Sequence, residues 1–117
     1  MSGLDQLILC LQWLAAEPEK ALAVSSVPAT IPDEIANDLD TFLDVATRAG
    51  DLRGEQLLLI SEIERVLDAW SGQDHADFWT PEAFAKSPIW ADLRDRARYV
   101  LVAMDAPRQD DDLLGRV

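Results

Sequence analysis

The chain has one cysteine and one histidine in 117 residues, and these two scarcities exclude much of the chemistry a small protein performs. A lone thiol, Cys10, forms no internal disulfide, so stability must come from packing, and a reducing compartment suits the chain. Cys10 also sits in an apolar run, where burial suppresses the thiolate; its expected role is structural. His75, in the polar stretch "SGQDHAD", has no second histidine and no thiolate to join it. It is expected to be an exposed loop residue, neither catalytic nor metal-ligating. Long apolar runs are missing too. The stretch from Leu7 to Ala16 is interrupted by Gln12 and closed by Glu17, Pro18 and Glu19, and no basic residue precedes it. Neither a signal peptide nor a membrane span is expected, and the location expected is cytoplasmic. Finally, no G-x-G-x-x-G, P-loop or nucleophile elbow is present, and Asp110-Asp111-Asp112 lacks the glycine and closing glutamate of an EF-hand loop. Nothing in the sequence asks for a cofactor.

Positive charge is scarce as well: 10 basic residues stand against 22 acidic ones, a net charge of −12. Such a chain repels nucleic acid and anionic membranes and attracts a basic partner, with a strong salt dependence. The distribution is uneven. Residues 1–82 hold 16 acidic and 4 basic groups, whereas residues 83–117 hold 6 of each. Lys86, Arg94, Arg96 and Arg98 gather in one segment; Asp92 and Arg96, four apart, can pair along it. Arg94 and Arg98 share a face and should find their partners on the acidic helices upstream. Three arginines beside Tyr99 and Trp90 could suit a recognition helix, but the net charge and the missing helix-turn-helix spacing argue against direct nucleic-acid binding.

What is present is helical periodicity. Leu4, Leu7, Ile8, Leu11, Leu14 and Ala15 predict a helix over 3–16, with Pro18 either ending it or opening a second short turn. After the linker "SSVPATIP", Thr30 should cap a helix whose buried stripe is Ile35, Leu39, Phe42, Leu43 and Ala46, with Gly50 at its left-handed C′ position. Leu59, Ile60, Ile63, Val66, Leu67 and Trp70 predict a third helix over about 54–71, stopped by Gly72. No stretch shows the alternation of a strand. The expected fold is all-α: four main helices and one short corner helix in a single domain over 1–106. An acidic, flexible tail over 107–117 should follow.

The corner lies in "FWTPEAFAKSPIWADLRDRARYV". Thr80-Pro81 and Ser87-Pro88 are two helix starts seven residues apart, each a hydroxyl residue followed by a proline whose φ is already helical. They predict a short turn over 81–86 and a full helix over 88–105. Phe78, Trp79, Phe84 and Trp90 supply the large apolar bodies that would fix the bend.

Two features point outward. Asp33, Asn37, Asp40 and Asp44 fall on one flank of the second helix, and Glu64 and Asp68 on one face of the third. Leu9 and Trp13 lie opposite the main stripe of the first helix, and Leu58 lies off the stripe of the third; these are candidate apolar contacts, with a homodimer through the first helix as one use. The acidic flank and the Trp79–Trp90 corner resemble, at the level of chemical type, the small acidic immunity proteins that bacteria keep beside their toxins. The resemblance covers no continuous stretch and no family motif. It implies a non-catalytic inhibitor that neutralises a basic partner, such as a toxin or nuclease. Two alternatives stand beside it: a nucleic-acid mimic regulating a DNA- or RNA-binding protein, and a small metal-dependent enzyme using the carboxylates of the second and third helices.

Overall fold

The computed structural model describes residues 3–24, 30–52 and 54–104. Within them the chain is all-α. The elements are α1 (Gly3–Ala15), α2 (Pro18–Val24), α3 (Ile31–Arg48), α4 (Gly54–Ala69), a 3₁₀ segment (Gln73–Trp79), α5 (Pro81–Lys86) and α6 (Pro88–Ala103). The expected tail over 107–117 lies outside the described residues. Each of the four long helices packs on two others: α1 on α3 and α6, and α4 on α6 and α3. The core between them holds Leu7, Leu11 and Leu14 of α1, Leu39 of α3, Ile60 and Ile63 of α4, and Leu93 and Leu101 of α6. Burying these stripes is what stabilises the helices, since short helices in water are marginal on propensity alone. Cys10 is part of this core, and its thiol donates to the Ile35 carbonyl at 3.3 Å. Among the described residues, no helix is long and apolar enough to cross a membrane.

The helix ends follow local chemistry, with one departure. α3 ends as its sequence requires: Gly50 adopts φ 76°, and the Asp51 N–H reaches back to the Ala46 carbonyl at 3.0 Å. Its start differs from expectation. Thr30 has near-helical dihedrals instead of the extended ones of a capping residue, and its side chain makes no cap hydrogen bond; its hydroxyl donates to Glu34 Oε1 at 3.1 Å. At the corner both hydroxyls cap. Thr80 Oγ1 accepts from the Ala83 N–H at 3.1 Å, and Ser87 Oγ from the Ile89 N–H at 3.2 Å.

The stretch expected to be an open polar loop is the 3₁₀ segment, and His75 is half-buried in it, edge-on to Trp70 at 4.9 Å. A large ring near its end pulls it in: Phe78 stacks on Trp70 at 4.9 Å and on Trp90 at 4.8 Å. Trp79 Nε1 donates to the Trp70 carbonyl at 2.8 Å, just past the end of α4, where a carbonyl lacks an intrahelical donor.

The arginines of α6 also differ from expectation. Arg98 donates from Nε to the Ala15 carbonyl at 2.9 Å and pairs with Glu17 at 3.3 Å, which ties α6 to the turn between α1 and α2. Arg94 donates to the Phe84 carbonyl at 3.1 Å. Neither reaches α3 or α4 in an ion pair among the described residues, because the face they share looks toward α5 and the turn between α1 and α2. The arginine that does reach α4 is Arg96, which pairs with Glu62 at 3.5 Å as well as with Asp92 at 2.8 Å.

Candidate functional site

In α3, Asp33, Ala36, Asn37 and Asp40 recur at three- and four-residue steps and so share one face. In α4 and just beyond it, Glu64, Leu67, Asp68 and Ser71 do the same. Because α3 packs on α4, the two faces meet along a groove of about 740 Å³. Gly72, Gln73, Ala76 and Trp79 line it from the 3₁₀ side. Gly72 makes that approach with φ 104°, which only glycine adopts readily.

The lining is chemically lopsided. It contains four carboxylates, from Asp33, Asp40, Glu64 and Asp68, and no lysine, arginine or histidine among the described residues. The C-terminal end of α4 adds negative potential at the Ser71–Gly72 end, since no basic residue stands in its last turn. Between and beside the carboxylates, Ala36, Leu67, Ala76 and Trp79 supply the apolar part of the lining. A groove of this kind suits a group that is cationic at its head and apolar along its stem, which describes lysine and arginine side chains.

Of the residues singled out from sequence, Asp33, Asn37, Asp40, Glu64 and Asp68 line this groove, and Asp44 does not. Asp44 lies further along α3 and is held by Arg48, with Nε 3.0 Å from Oδ2. Leu9 and Trp13 are half-buried, Trp13 against the core, and Leu58 is exposed. The corner aromatics Phe78, Phe84 and Trp90 are buried, so of that group only Trp79 contributes to the groove. Gln73 and Ala76 carried no signal in the sequence, since neither helical periodicity nor charge marks them.

Glu64 is the most perturbed group in the groove. Its Oε1 is sealed from solvent and meets no hydrogen-bond donor. Loss of water first, then the nearby Asp40 carboxylate and the charge of Asp68, push its carboxyl up to about 7. Outside the groove, burial together with Glu34 raises the Asp38 carboxyl. Burial above all, with some help from Asp38, lifts the Cys10 thiol to about 12, which leaves it without nucleophilic character at neutral pH. Among the described residues, no three histidine, cysteine, aspartate or glutamate side chains are placed to hold a metal ion together. Compared with protein-family models, with curated proteins and with solved structures, the chain matches none.

Proposed function

We propose that this protein is a non-catalytic binding module whose α3–α4 groove receives a basic segment of a partner protein, acting as an inhibitor that neutralises that partner in the cytoplasm. One observation carries the reading. The groove gathers four carboxylates and several apolar side chains without a single lining cation among the described residues, in a chain of net charge −12. A fold that needed these carboxylates only for its own stability would pair them, as Asp44, Glu62 and Asp92 are paired elsewhere on the surface. Unpaired like charges along a seam cost stability, and a basic partner recovers that cost on binding.

The test begins with the immobilised chain and native lysate at about 50 mM and about 500 mM salt, where a basic partner is retained at the lower and weakened at the higher. The double variant Asp40→Lys, Asp68→Lys then decides the site. With helicity unchanged by circular dichroism, its association rate with the retained protein should fall by about tenfold or more at low salt. An unchanged rate removes the groove from the interface. The retained partner's own activity, assayed with and without an equimolar amount of the chain, shows whether binding inhibits it. A partner that binds DNA or RNA through the same surface would make the carboxylates a phosphate mimic.

A further inference from the structure

Leu58, Tyr99 and Val102 are the most exposed large apolar side chains among the described residues, at 69, 59 and 62%, and none of them lines the groove. The packing of α4 on α6 brings them to one face. The two helices run in opposite directions: Trp70, just past the end of α4, joins Trp90, near the start of α6, through Phe78. Further along the pair, Glu62 meets Arg96 at 3.5 Å. One turn beyond that bridge, Leu58 lies four residues before Glu62, and Tyr99 lies three residues after Arg96. Each is therefore on the side of its helix that the bridge occupies. Val102 follows Tyr99 by three residues and carries the strip to the end of α6.

Charge sets this face apart from the rest of the chain. Glu62 also pairs with Arg65 at 3.9 Å, Arg96 with Asp92 at 2.8 Å, and Asp95 with Arg98 at 3.8 Å. With Glu55, one turn before Leu58, the face holds four carboxylates against three guanidinium groups, one net negative charge in a chain of net −12. A basic partner finds little here to attract it. Two copies of so acidic a chain repel each other wherever their carboxylates lead, and this balanced face is where that repulsion is least. A two-fold axis sets the same patch against itself, with arginines of one copy free to meet carboxylates of the other around the apolar strip.

We propose that two copies of this chain associate through the α4–α6 face, burying Leu58, Tyr99 and Val102 of each in a weak two-fold dimer. This is independent of the function assigned to the groove. The strip is small: an apolar patch of a few hundred Å² falls short of the roughly 800 Å² that each partner of a standard interface contributes. The dimer should accordingly form only at about 0.1 mM and above. Added salt screens the repulsion between two net charges of −12, so it should strengthen the dimer, the reverse of its effect on a basic partner.

Sedimentation equilibrium of the full chain, from about 10 μM to about 1 mM at about 50 mM and about 500 mM salt, tests this. A dimer should appear at the upper concentrations, with a dissociation constant about tenfold lower at the higher salt. Tyr99→Asp and, separately, Leu58→Asp place a carboxylate in the apolar strip at exposed positions. With helicity unchanged by circular dichroism, each should raise the dissociation constant about tenfold or more. The groove variant Asp40→Lys, Asp68→Lys lowers the net charge from −12 to −8 and leaves this face intact, so it should dimerise at least as well as wild type. A chain that stays monomeric at about 1 mM in high salt overturns the second copy as the occupant of this face. Association that salt weakens, that both aspartate variants leave unchanged, or that the groove variant abolishes overturns it as well.

Discussion

Trp90 has no exposed surface, and its indole is held on several sides. Nε1 donates to the Phe78 carbonyl at 2.8 Å; Phe78 stacks on the ring at 4.8 Å, and Phe84 and Trp79 meet it edge-on at 5.1 and 5.7 Å. Truncation to alanine exposes the lining of a cavity the size of an indole and leaves a buried carbonyl without its donor. Burying about 200 Å² of ring at about 25 cal/mol per Å² gives about 5 kcal/mol, an upper bound because an unfolded chain already hides part of that surface. The orphaned carbonyl adds about 1–2 kcal/mol, and partial collapse of the cavity returns some of the total. Trp90→Ala should therefore cost about 3–5 kcal/mol, a large part of the stability of a domain this size. Trp90→Phe retains much of the ring contact and loses the N–H, so it should cost about 1–2 kcal/mol and remain folded. Urea unfolding followed by far-ultraviolet circular dichroism measures both, with the slope of free energy against urea as a check that the unfolded state is unchanged. A loss below about 1 kcal/mol for the alanine variant would refute the anchoring argument. Equal losses for the two variants would show that the hydrogen bond, not the ring, holds the corner.

Two further outcomes follow from the perturbed groups. Glu64 has a native carboxyl raised to about 7 from an ordinary value of 4.5, so between those values the folded state binds more protons than the unfolded one, and its contribution to stability falls as pH rises through that window. The full shift corresponds to about 3 kcal/mol, which screening through the open side of the groove reduces to about 1–2 kcal/mol. Glu64→Gln should thus gain about that much stability over wild type at pH 8 and almost none at pH 4, and a gap independent of pH would contradict the assignment. Cys10, buried and with its thiol raised to about 12, should react with an aromatic disulfide only through unfolding. Its labelling rate should climb with urea in step with the unfolded fraction, and fast labelling of the native protein would show that α1 opens locally.

The helices were legible wherever one face is apolar over several turns. Of the stripe expected for α3, Ile35, Leu39, Leu43 and Ala46 are buried and Phe42 is half-buried, and Gly50 sits at positive φ where the sequence placed the turn. The 3₁₀ segment was not legible. Gln73 to Asp77 carries no apolar period, and the cause of its order, two rings at its end packing on Trp70 and Trp90, is tertiary. The capping role given to Thr30 failed for a related reason: composition marks a capping residue, but backbone dihedrals decide whether its hydroxyl can reach an N–H. Charge behaved similarly. A helical wheel shows that Arg94 and Arg98 share a face; it does not show that α5 and the turn between α1 and α2 are what that face meets. For the candidate site, the spacing of Asp33, Asn37 and Asp40 and of Glu64 and Asp68 was readable as two stripes. That they line one groove depends on the packing of α3 against α4, and Asp44, one turn further on, lies outside it.

The two helix starts in the corner bear on that groove as well as on the fold. Capping by Thr80 and Ser87 ends one helical direction and opens the next within a single short helix, and this places Trp90 beneath the 3₁₀ segment. Trp90 then holds the Phe78 carbonyl, and Trp79, the next residue, reaches the end of α4 through its own indole N–H. Trp79 is therefore fixed at both ends of its local chain, by Phe78 on one side and by the capped start of α5 on the other. Its position in the groove wall is set by contacts that lie outside the groove. A wall built this way is held by the fold itself, so on the binding function proposed above less ordering entropy would be lost when a side chain entered. On the binding function proposed above, the carboxylates would supply attraction and the corner a rigid surface for an apolar stem to lie against. Removing charge should accordingly slow association, whereas loosening the corner should speed dissociation, since the two contributions act at different stages of the same encounter.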